Sequence, residues 1–290
     1  MTIIRNQKLT YQQLKDLSRL SLICKAVDGN HIALYKHMLG NKRPFSTNLL
    51  YYQKKKLIGF LSTFYFYEDA CEVPLMIAPA FRKKGIAKAL LQEILPIIPQ
   101  GVIESLIFSS PKDLNNDWLL AHNFRYKSSE YQMQLHQKKP MVLTNTVLDI
   151  RRATDDDLSI IADLDCAAFQ IPLGDKSSRI YSLLKDPKYT IFLAFKEGVP
   201  VGKAHVHLQK DIARLTDIAI FPNFQGQGFG SELIRFCINY CVDNNHSRII
   251  LDVETTNQLA LKLYDRLGFT ISNAYDFWII PITDVQNLLN

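Results

Sequence analysis

A chain of 290 residues can form two domains of about 150 residues each or one large domain. Its hydrophobic content of 47% and charged content of 21% are those of a folded protein with a sizeable core. The net charge of +6 permits an anionic ligand. No basic run exceeds three residues, so the composition does not favour a nucleic acid as partner.

The cysteines and the hydropathy pattern bear on whether the protein is secreted, spans a membrane or binds a metal. The five cysteines form no Cys-x-x-Cys pair, and their odd number argues against a disulfide framework. Cys237 and Cys241 lie four apart in an apolar helical pattern, which favours core packing over metal binding. The apolar stretch 89–108 is interrupted by prolines and charge, and residues 1–10 are not apolar enough for a signal peptide. These features predict a cytoplasmic protein with no membrane span and no metal site.

The first half begins with a predicted helix and a hairpin. Residues 9–28 place leucine and isoleucine at helical spacing. Two runs rich in tyrosine and phenylalanine, residues 48–52 and 57–67, predict strands on either side of a lysine turn.

A basic loop follows in the first half. A short apolar strand ends in Ile77-Ala78-Pro79, and a helix is predicted over residues 88–95. The loop between them has the pattern Arg82-x-x-Gly85-x-Ala87.

The second half opens with a short strand over residues 148–152 and a helix start. Thr154 stands at the N-cap position and Asp157 at the third helical position, where the two side chains can form a capping box. The other acids of the triplet suit the helix dipole, so a helix start is predicted there rather than a metal site. Residues 190–195 and 200–209 predict a hairpin that turns at Glu197-Gly198.

A glycine-rich loop follows the next strand, which is predicted over residues 213–221. Gly226, Gly228 and Gly230 occupy alternate positions before a helix predicted over residues 231–243. Because glycine allows unusual backbone angles and has no Cβ, several N–H groups can point at one spot. The first turn of the helix adds unpaired N–H groups and a positive dipole end, which suits a phosphate or pyrophosphate. The alternative is a glycine-rich turn without a ligand.

Three motifs compete for this loop. A P-loop requires Gly-Lys-Ser/Thr, but Gly230 is followed by Ser231 and Glu232. A dinucleotide fingerprint requires Gly-x-Gly-x-x-Gly, but the spacing here is Gly-x-Gly-x-Gly. The pattern Gln/Arg-x-x-Gly-x-Gly/Ala fits from Gln225 to Gly230. The stretch therefore resembles the pyrophosphate-binding motif of the GCN5-related N-acetyltransferases (GNATs), which bind acetyl-CoA.

The resemblance implies a set of acetyl-CoA contacts in each half. The pyrophosphate would lie on the loop of the second half, and the pantetheine arm along the strand before it. The implied residues there are Ile218, Ala219, Ile220, Gln225, Gly226, Gln227, Gly228, Phe229 and Gly230. The corresponding loop of the first half is weaker but basic, and its residues are Arg82, Lys83, Lys84, Gly85 and Ala87.

An internal repeat relates the two halves. Four landmark pairs are each separated by 143 positions, namely Gly59 and Gly202, Pro79 and Pro222, Phe81 and Phe224, and Gly85 and Gly228. A repeat of this length indicates two copies of a domain rather than a solenoid. The polar stretch 136–141 lacks periodicity and marks the boundary. The predicted domains are residues 1–138 and 146–290, and the implied fold is α/β, with two tandem GNAT-like domains that each contain a mixed, mostly antiparallel sheet flanked by helices.

A second block after the loop carries the candidate chemistry. The pattern Asn257-x-x-Ala260-x-x-x-Tyr264-x-x-x-Gly268-Phe269 resembles the second conserved block of the family. By that resemblance Asn257 contacts the pantetheine arm and Tyr264 is the general acid that protonates the leaving CoA thiolate. The alternative for Tyr264 is a packed aromatic on an amphipathic helix.

The first half lacks this block. Counting back from Phe124 by the same distances gives Leu119 in place of Tyr264 and Lys112 in place of Asn257. Leucine cannot donate a proton, so residues 1–138 are predicted to be non-catalytic, either binding CoA or serving as a scaffold.

The general base is left open among several residues. Asp217, eight residues before Gln225, is the preferred carboxylate. The other candidates are Asp252, Glu254, His205 and His207, and many enzymes of the family use a water chain instead. The predicted function is acetyl transfer from acetyl-CoA to a primary amine of a small molecule or peptide. The alternative is a non-catalytic acyl-CoA-binding or regulatory protein.

Overall fold

The computed structural model describes residues 2–99, 101–143, 146–169 and 177–289. These residues form two compact units that are not contiguous in sequence. Unit 1 comprises Met1–Tyr131, Glu254–Thr256 and Asn273–Asn290, and unit 2 comprises Gln132–Val253 and Asn257–Ser272. The units thus differ from the predicted contiguous halves, because the segment after Ser272 is grouped with the first half and the end of the first half is grouped with the second.

Both halves contain helices as well as strands. The elements of the first half are β1 (Thr2–Asn6), α1 (Tyr11–Asp28), α2 (Lys36–Leu39), β2 (Asn48–Gln53), β3 (Lys56–Leu61), β4 (Ala70–Glu72), β5 (Leu75–Ile77), α3 (Ile86–Ile94), β6 (Ser105–Pro111), α4 (Asn116–Ala121) and β7 (Arg125–His136). Those of the second half are β8 (Asp149–Arg152), α5 (Leu158–Phe169), α6 (Ser177–Lys185), β9 (Tyr189–Lys196), β10 (Val199–Leu208), β11 (Ala213–Ile220), α7 (Phe229–Asp243), β12 (Arg248–Glu254), α8 (Gln258–Arg266), β13 (Thr270–Pro281) and α9 (Ile282–Leu289).

Unit 1 contains a sheet in the order β1-β2-β3-β5 and a second set of paired strands. In the second set β4 runs parallel to β6, and Tyr275–Pro281 of β13 runs antiparallel to the other side of β6. The core of the unit includes Trp278, Ile280, Ile282 and Val285 from the late segment. The first-half core is therefore completed by residues from the end of the second half.

Unit 2 is built on the strand order β12-β11-β10-β9-β8. The β8–β9, β9–β10 and β10–β11 pairs are antiparallel, whereas β11 and β12 are parallel. Helices α5 and α7 contact β10 and β11. The predicted α/β fold with mixed, mostly antiparallel sheets is confirmed.

The two predicted hairpins turn at residues with positive φ, at the positions that the sequence indicates. Lys54 and Lys55 have φ of 47° and 63°, and Glu197 and Gly198 have φ of 52° and 79°. Two consecutive residues with positive φ match the right-handed twist of the flanking strands. The strand predicted over residues 57–67 is shorter than expected, since β3 ends at Leu61 and only a bridge joins Phe64 to Glu72.

The repeat is visible in the strand register. Gly59 faces Ile77 and Gly202 faces Ile220, at the offset that the sequence predicts. A Cβ on Gly202 would lie 2.4 Å from Cδ1 of Ile220 and 2.6 Å from the carbonyl oxygen of Ala219. At Gly59 the corresponding contacts would be 3.0–3.1 Å. Both glycines therefore permit close packing of the strand that leads into the loop.

The two cysteines of α7 and the apolarity of the helices are the next features. Cys237 and Cys241 are fully buried on α7, which confirms their role in the core. Within the described residues, no helix combines the length and apolarity that crossing a membrane requires.

The predicted capping box at the start of the second half is present, although a short 3-10 turn, Asp155–Asp157, precedes α5. The Asp157 carboxylate accepts hydrogen bonds from the Thr154 backbone N–H at 2.8 Å and from both Arg151 guanidinium nitrogens at 2.8 and 2.7 Å. The hydrogen bonds from Arg151 lower the pKa of Asp157 to about 2.

We expect the Asp157→Asn variant to lose about 1–2 kcal/mol of unfolding free energy at pH 7. The folded pKa lies below the unfolded one, so the stabilisation is present above about pH 4 and disappears as the pH falls toward 2. Urea unfolding of the parent and the variant at pH 7 and pH 3 should show the difference shrinking. Asp155→Asn is the control, because its ion pair with Lys185 is about half exposed on both sides. A pH-independent difference would contradict the assignment to this ion pair.

Candidate active site

Strands β11 and β12 separate after a short parallel contact. Their register joins Ala213 to Ile249 and Arg214 to Ile250, and in the described part of the chain it extends no further. From there to Ile220, β11 remains paired with β10. One side of residues 215–220 therefore lies along the gap left where the β11–β12 pairing ends.

A bulge interrupts the pairing of β11 with β10, which continues on both sides of it. The β10–β11 register shifts between Lys203 and His205, with the extra residue on β11. Asp217 lies at this bulge with φ of 49°, a backbone conformation that L-residues other than Asn and Asp rarely adopt. Bulges of this kind commonly redirect a side chain next to a functional site.

The glycine loop presents a run of backbone donors. Gly226 and Gly228 have φ of 75° and 87°, and α7 begins directly after Gly228. Among the residues that the structure describes, no acceptor is found for the N–H groups of residues 226–230. Successive amides at a helix N-terminus form a site for an anion such as a phosphate group.

Side chains hold the loop to the strand that precedes it. Gln225 Nε2 donates to the carbonyl oxygen of Ile220 at 3.0 Å, and Gln227 Nε2 donates to that of Asn223 at 3.3 Å. In the first half, Arg82 Nε donates to Ile77 at 3.1 Å and Lys84 Nζ donates to Ala80 at 3.0 Å. The same backbone positions are bound in both copies. The first residue of the motif thus has a structural role, which glutamine and arginine can both fulfil.

The last glycine of the loop brings three elements together. A Cβ on Gly230 would lie 3.6 Å from Leu263 of α8 and 3.7 Å from Ile220 of β11. The adjacent Ala219 and Ile220 pair with Lys203 and Gly202 of β10. The loop, the end of β11 and the helix that carries Tyr264 therefore meet in unit 2.

Tyr264 is 8% exposed, on the buried face of α8. Its ring contacts Phe269 edge-on at 5.9 Å, and burial raises the pKa of its hydroxyl to about 12. The hydroxyl is therefore protonated at neutral pH, as a general acid must be.

Asn257 lies at the start of the same helix. It is the N-cap of α8, and its Oδ1 accepts a hydrogen bond from the Ala260 N–H at 3.1 Å. The side-chain oxygen thus has a capping role, which leaves the exposed amide nitrogen for a ligand.

The structure distinguishes among the base candidates. Asp252 accepts a hydrogen bond from Arg214 and another from Gln132 at 3.2 Å. His207 stacks on Tyr189 at 4.4 Å and is buried, and burial lowers its pKa. Glu254 is exposed at the end of β12 and belongs to unit 1.

Asp217 is the carboxylate among these candidates that lies at the bulge in β11. Its side chain is 38% exposed, and its carboxylate lies 3.5 Å from Nδ1 of His205.

Sequence reasoning missed three residues near the loop, namely Ser231, Arg235 and Lys196. Ser231 and Arg235 line a cavity of about 440 Å³ beside the start of α7, together with the predicted loop residues Gln227 and Gly228. Arg235 lies seven positions after Gly228, two helical turns along the same face, and this spacing could have identified it. Lys196 Nζ lies 5.5 Å from the centre of the Phe229 ring, which places a second positive charge near the loop.

The first-half loop has the same shape but its arginine is already paired. Lys83 and Gly85 have φ of 58° and 77°, matching Gly226 and Gly228. Both Arg82 guanidinium nitrogens donate to the carboxylate of Asp28, at 2.7 and 2.6 Å, and Asp28 is 7% exposed. Lys83 and Lys84 are exposed, and Ala87 follows in the first turn of α3. Of the basic triplet, Lys83 and Lys84 thus remain exposed, and Lys84 Nζ also donates to the carbonyl oxygen of Ala80.

The register of the second block is shared by both halves. The Phe124 N–H donates to the carbonyl of Leu119, and the Phe269 N–H donates to that of Tyr264, both at 3.0 Å. Leu119 therefore occupies the position of Tyr264. Lys112 does not match Asn257 in structure, because α4 begins later and its N-cap is Asn115.

Replacing Arg82 with the glutamine that the second half uses should lower the unfolding free energy by about 1–2 kcal/mol, since the mostly buried Asp28 carboxylate would lose its partner. Urea denaturation measures this change. The double variant Arg82→Gln/Asp28→Asn should recover part of the lost unfolding free energy. Lys83→Gln is the matched control and should lie within about 0.5 kcal/mol of the parent. Equal stability of Arg82→Gln and Lys83→Gln would contradict the structural role of the ion pair.

Comparison with known proteins identifies the class. The family model described as "Acetyltransferase (GNAT) family" matches residues 12–109 and again residues 158–269. The chain belongs to this family and is an acyl-CoA-dependent acetyltransferase with two GNAT domains in tandem.

Relatives and solved structures agree with this assignment. A candidate ribosomal protein bS18-alanine N-acetyltransferase of Bacillus subtilis is 28% identical over 119 residues, 41% of this chain and 78% of the relative. The N-acetylaspartate synthetase of Rattus norvegicus is 27% identical over 124 residues, 42% of this chain and 40% of the relative. A GCN5-related N-acetyltransferase from Sphaerobacter thermophilus has the same fold with a TM-score of 0.75 at 15% identity, covering 97% of this chain and 96% of the other. A tandem GNAT protein from the clavulanic acid biosynthesis pathway has a TM-score of 0.66 at 12% identity, with 97% and 98% coverage.

Proposed function

We propose that the second half transfers an acetyl group from acetyl-CoA to a primary amine of a small molecule or peptide. The observation that supports this most directly is the run of five backbone N–H donors at residues 226–230, at the start of α7. A pyrophosphate on this loop would direct the pantetheine arm into the gap beside residues 218–220. Asn257, the N-cap of α8, would bind the arm through its amide nitrogen.

The reaction joins the acceptor nitrogen to the thioester carbonyl carbon. The neutral amine attacks the carbonyl, a tetrahedral intermediate forms, and the C–S bond breaks as the amide forms. The proton lost from nitrogen passes to the Asp217 carboxylate, directly or through water, and the thiolate takes the Tyr264 hydroxyl proton. Because burial raises the pKa of Tyr264 to about 12, this residue can take the proton back from solvent or from Asp217 after each turnover.

In this mechanism the first half is a scaffold or a second CoA-binding domain. Leu119, in the place of Tyr264, offers no proton. The loop of the first half retains Lys83 and Lys84 as exposed residues, so any CoA binding to that loop should weaken with added salt.

The acceptor class is supported by the names of the relatives. One is named for acetylation of an alanine and another for the synthesis of N-acetylaspartate, and both names place an acetyl group on nitrogen. The acceptor pocket of such an enzyme is built from loops, and one candidate loop, residues 169–179, lies partly outside the described residues. The proposal therefore specifies an amine but no individual acceptor.

The first experiment is mass spectrometry of the purified chain for CoA species, followed by a thiol-release assay with a panel of amines. We expect bound acetyl-CoA or CoA, and amine-dependent release of thiol. Bound CoA without turnover of any amine would instead support a non-catalytic acyl-CoA-binding protein. Tight binding of a longer acyl-CoA in preference to acetyl-CoA would contradict the proposed donor.

A further inference from the structure

A chain of four polar side chains leads from the core of unit 2 to the bulge in β11. Lys203 is fully buried, and its Nζ lies 2.8 Å from the Asp165 carboxylate and 3.1 Å from Nε2 of His205. Nδ1 of His205 lies 3.5 Å from the carboxylate of Asp217. The side chain of Lys203 is 0% exposed, that of His205 3%, that of Asp165 12% and that of Asp217 38%, so Asp217 is the most exposed member of the four.

The donors and acceptors along this chain determine the state of the imidazole. An ammonium has three donors and no acceptor, so Lys203, paired with Asp165, can only donate to Nε2 of His205. Nε2 must then be the unprotonated nitrogen, and the ring proton lies on Nδ1, which faces the Asp217 carboxylate. Both neighbours of the ring thus require the same tautomer.

The Lys203 charge also opposes a second proton on the ring. An imidazolium would place two positive charges about 3 Å apart in a buried region, where they repel strongly. The charged groups described around His205 include Asp165 on α5, Lys203 on β10 and Asp217 on β11. The Asp217 carboxylate faces Nδ1 and favours its protonation, and Asp165 is balanced by Lys203.

We propose that the buried Asp165–Lys203 pair is a positioning device that keeps His205 neutral, with its proton on Nδ1, and so directs the Asp217 carboxylate. His205 acts through Asp217 and does not accept the substrate proton, which resolves the choice among the base candidates in favour of Asp217. The inference rests on the proposed function for its purpose, but its structural content can be tested without any substrate. The distance of 3.5 Å is longer than an ordinary hydrogen bond, as is common for catalytic contacts before a ligand binds.

The test is a pH titration of the intact, histidine-15N-labelled chain, followed by two-bond proton–nitrogen correlation spectra. These spectra report which ring nitrogen carries the proton, and the His205→Gln variant assigns the signal among the seven histidines. We expect a neutral ring with the proton on Nδ1. A proton on Nε2 in the parent would overturn the proposal.

A double variant distinguishes a positioning role from a merely structural one. Removing Lys203 or Asp165 alone leaves an uncompensated buried charge and risks unfolding, so Lys203→Met is combined with Asp165→Asn. In the folded double variant the midpoint for protonation of His205 should rise by about one pH unit or more, because the nearer positive charge is gone. An unchanged midpoint would overturn the proposal.

Activity then separates this inference from the proposed function. With an accepted amine in hand, the pH profile of kcat/KM should change in the double variant, while acetyl-CoA affinity stays the same. If no amine is accepted, the proposed function fails while the tautomer and the titration still decide the inference.

Discussion

Replacing Gly228 with valine is expected to weaken acetyl-CoA binding to the second half by at least about 100-fold. The loop offers five backbone donors, and each hydrogen bond to a charged phosphate contributes about 1.5–3 kcal/mol. Losing two of them suffices for that change, since a tenfold loss corresponds to about 1.4 kcal/mol. Gly228 has φ of 87°, and a Cβ there would meet no protein atom within 4 Å, so the branched side chain would enter the open space in front of the amides.

The control for this variant is Gly198→Val at the β9–β10 turn. Gly198 has φ of 79° and equally open surroundings, so the same substitution imposes similar backbone strain away from the loop. Isothermal titration of acetyl-CoA into each full-length variant gives affinity and stoichiometry, and urea unfolding gives the cost in stability. Comparable losses of stability with loss of binding only in Gly228→Val are expected. Retained affinity at full stoichiometry in Gly228→Val would exclude the loop as the phosphate site.

Removing the Tyr264 hydroxyl is expected to lower turnover by about 100-fold or more while acetyl-CoA affinity changes little. Tyr264→Phe keeps the ring and its edge-on contact with Phe269, and removes only the proton donor. A loss in rate without a loss in binding indicates an interaction made mainly in the transition state. If Tyr264 were only a core aromatic, the variant would lose about 1 kcal/mol of stability and turn over normally.

Tyr240→Phe on α7 is the matched control, because the Tyr240 hydroxyl shares a hydrogen bond of 3.1 Å with Thr190. It should lose stability and keep its rate. Steady-state rates, acetyl-CoA titrations and thermal melts on both full-length variants separate the outcomes. Normal turnover by folded Tyr264→Phe would remove this residue from the mechanism.

The features that sequence predicted well are local ones. The capping box at Thr154 and the hairpin turn at Glu197-Gly198 each depend on residues only a few positions apart. The fixed offset of 143 positions between matching residues then predicted a second copy of the domain. For the same reason, the loop residues 225–230 could be named as a candidate phosphate site before the fold was known.

The features that sequence missed depend on residues far apart in the chain. Asp165 and Lys203 are 38 positions apart, and their pairing follows only from how α5 packs on β10. His205 was a candidate for its spacing with His207, but neither a tautomer nor a partner can be read from that spacing. The bulge that turns Asp217 toward His205 is a shift in strand register, for which the residues Thr216 to Ile218 carry no glycine or proline signal.

The late segment of the chain determines when unit 1 can form during synthesis. β6 receives its partner Tyr275–Pro281, and the core receives Trp278 and Ile280, only after these residues, late in the second half, have left the ribosome. Until then β6 has an open edge and an incomplete core, a state in which strands pair with unintended neighbours. The N-terminal unit should therefore mature last, and a gene cut at residue 138 would encode a fragment that lacks part of its own interior.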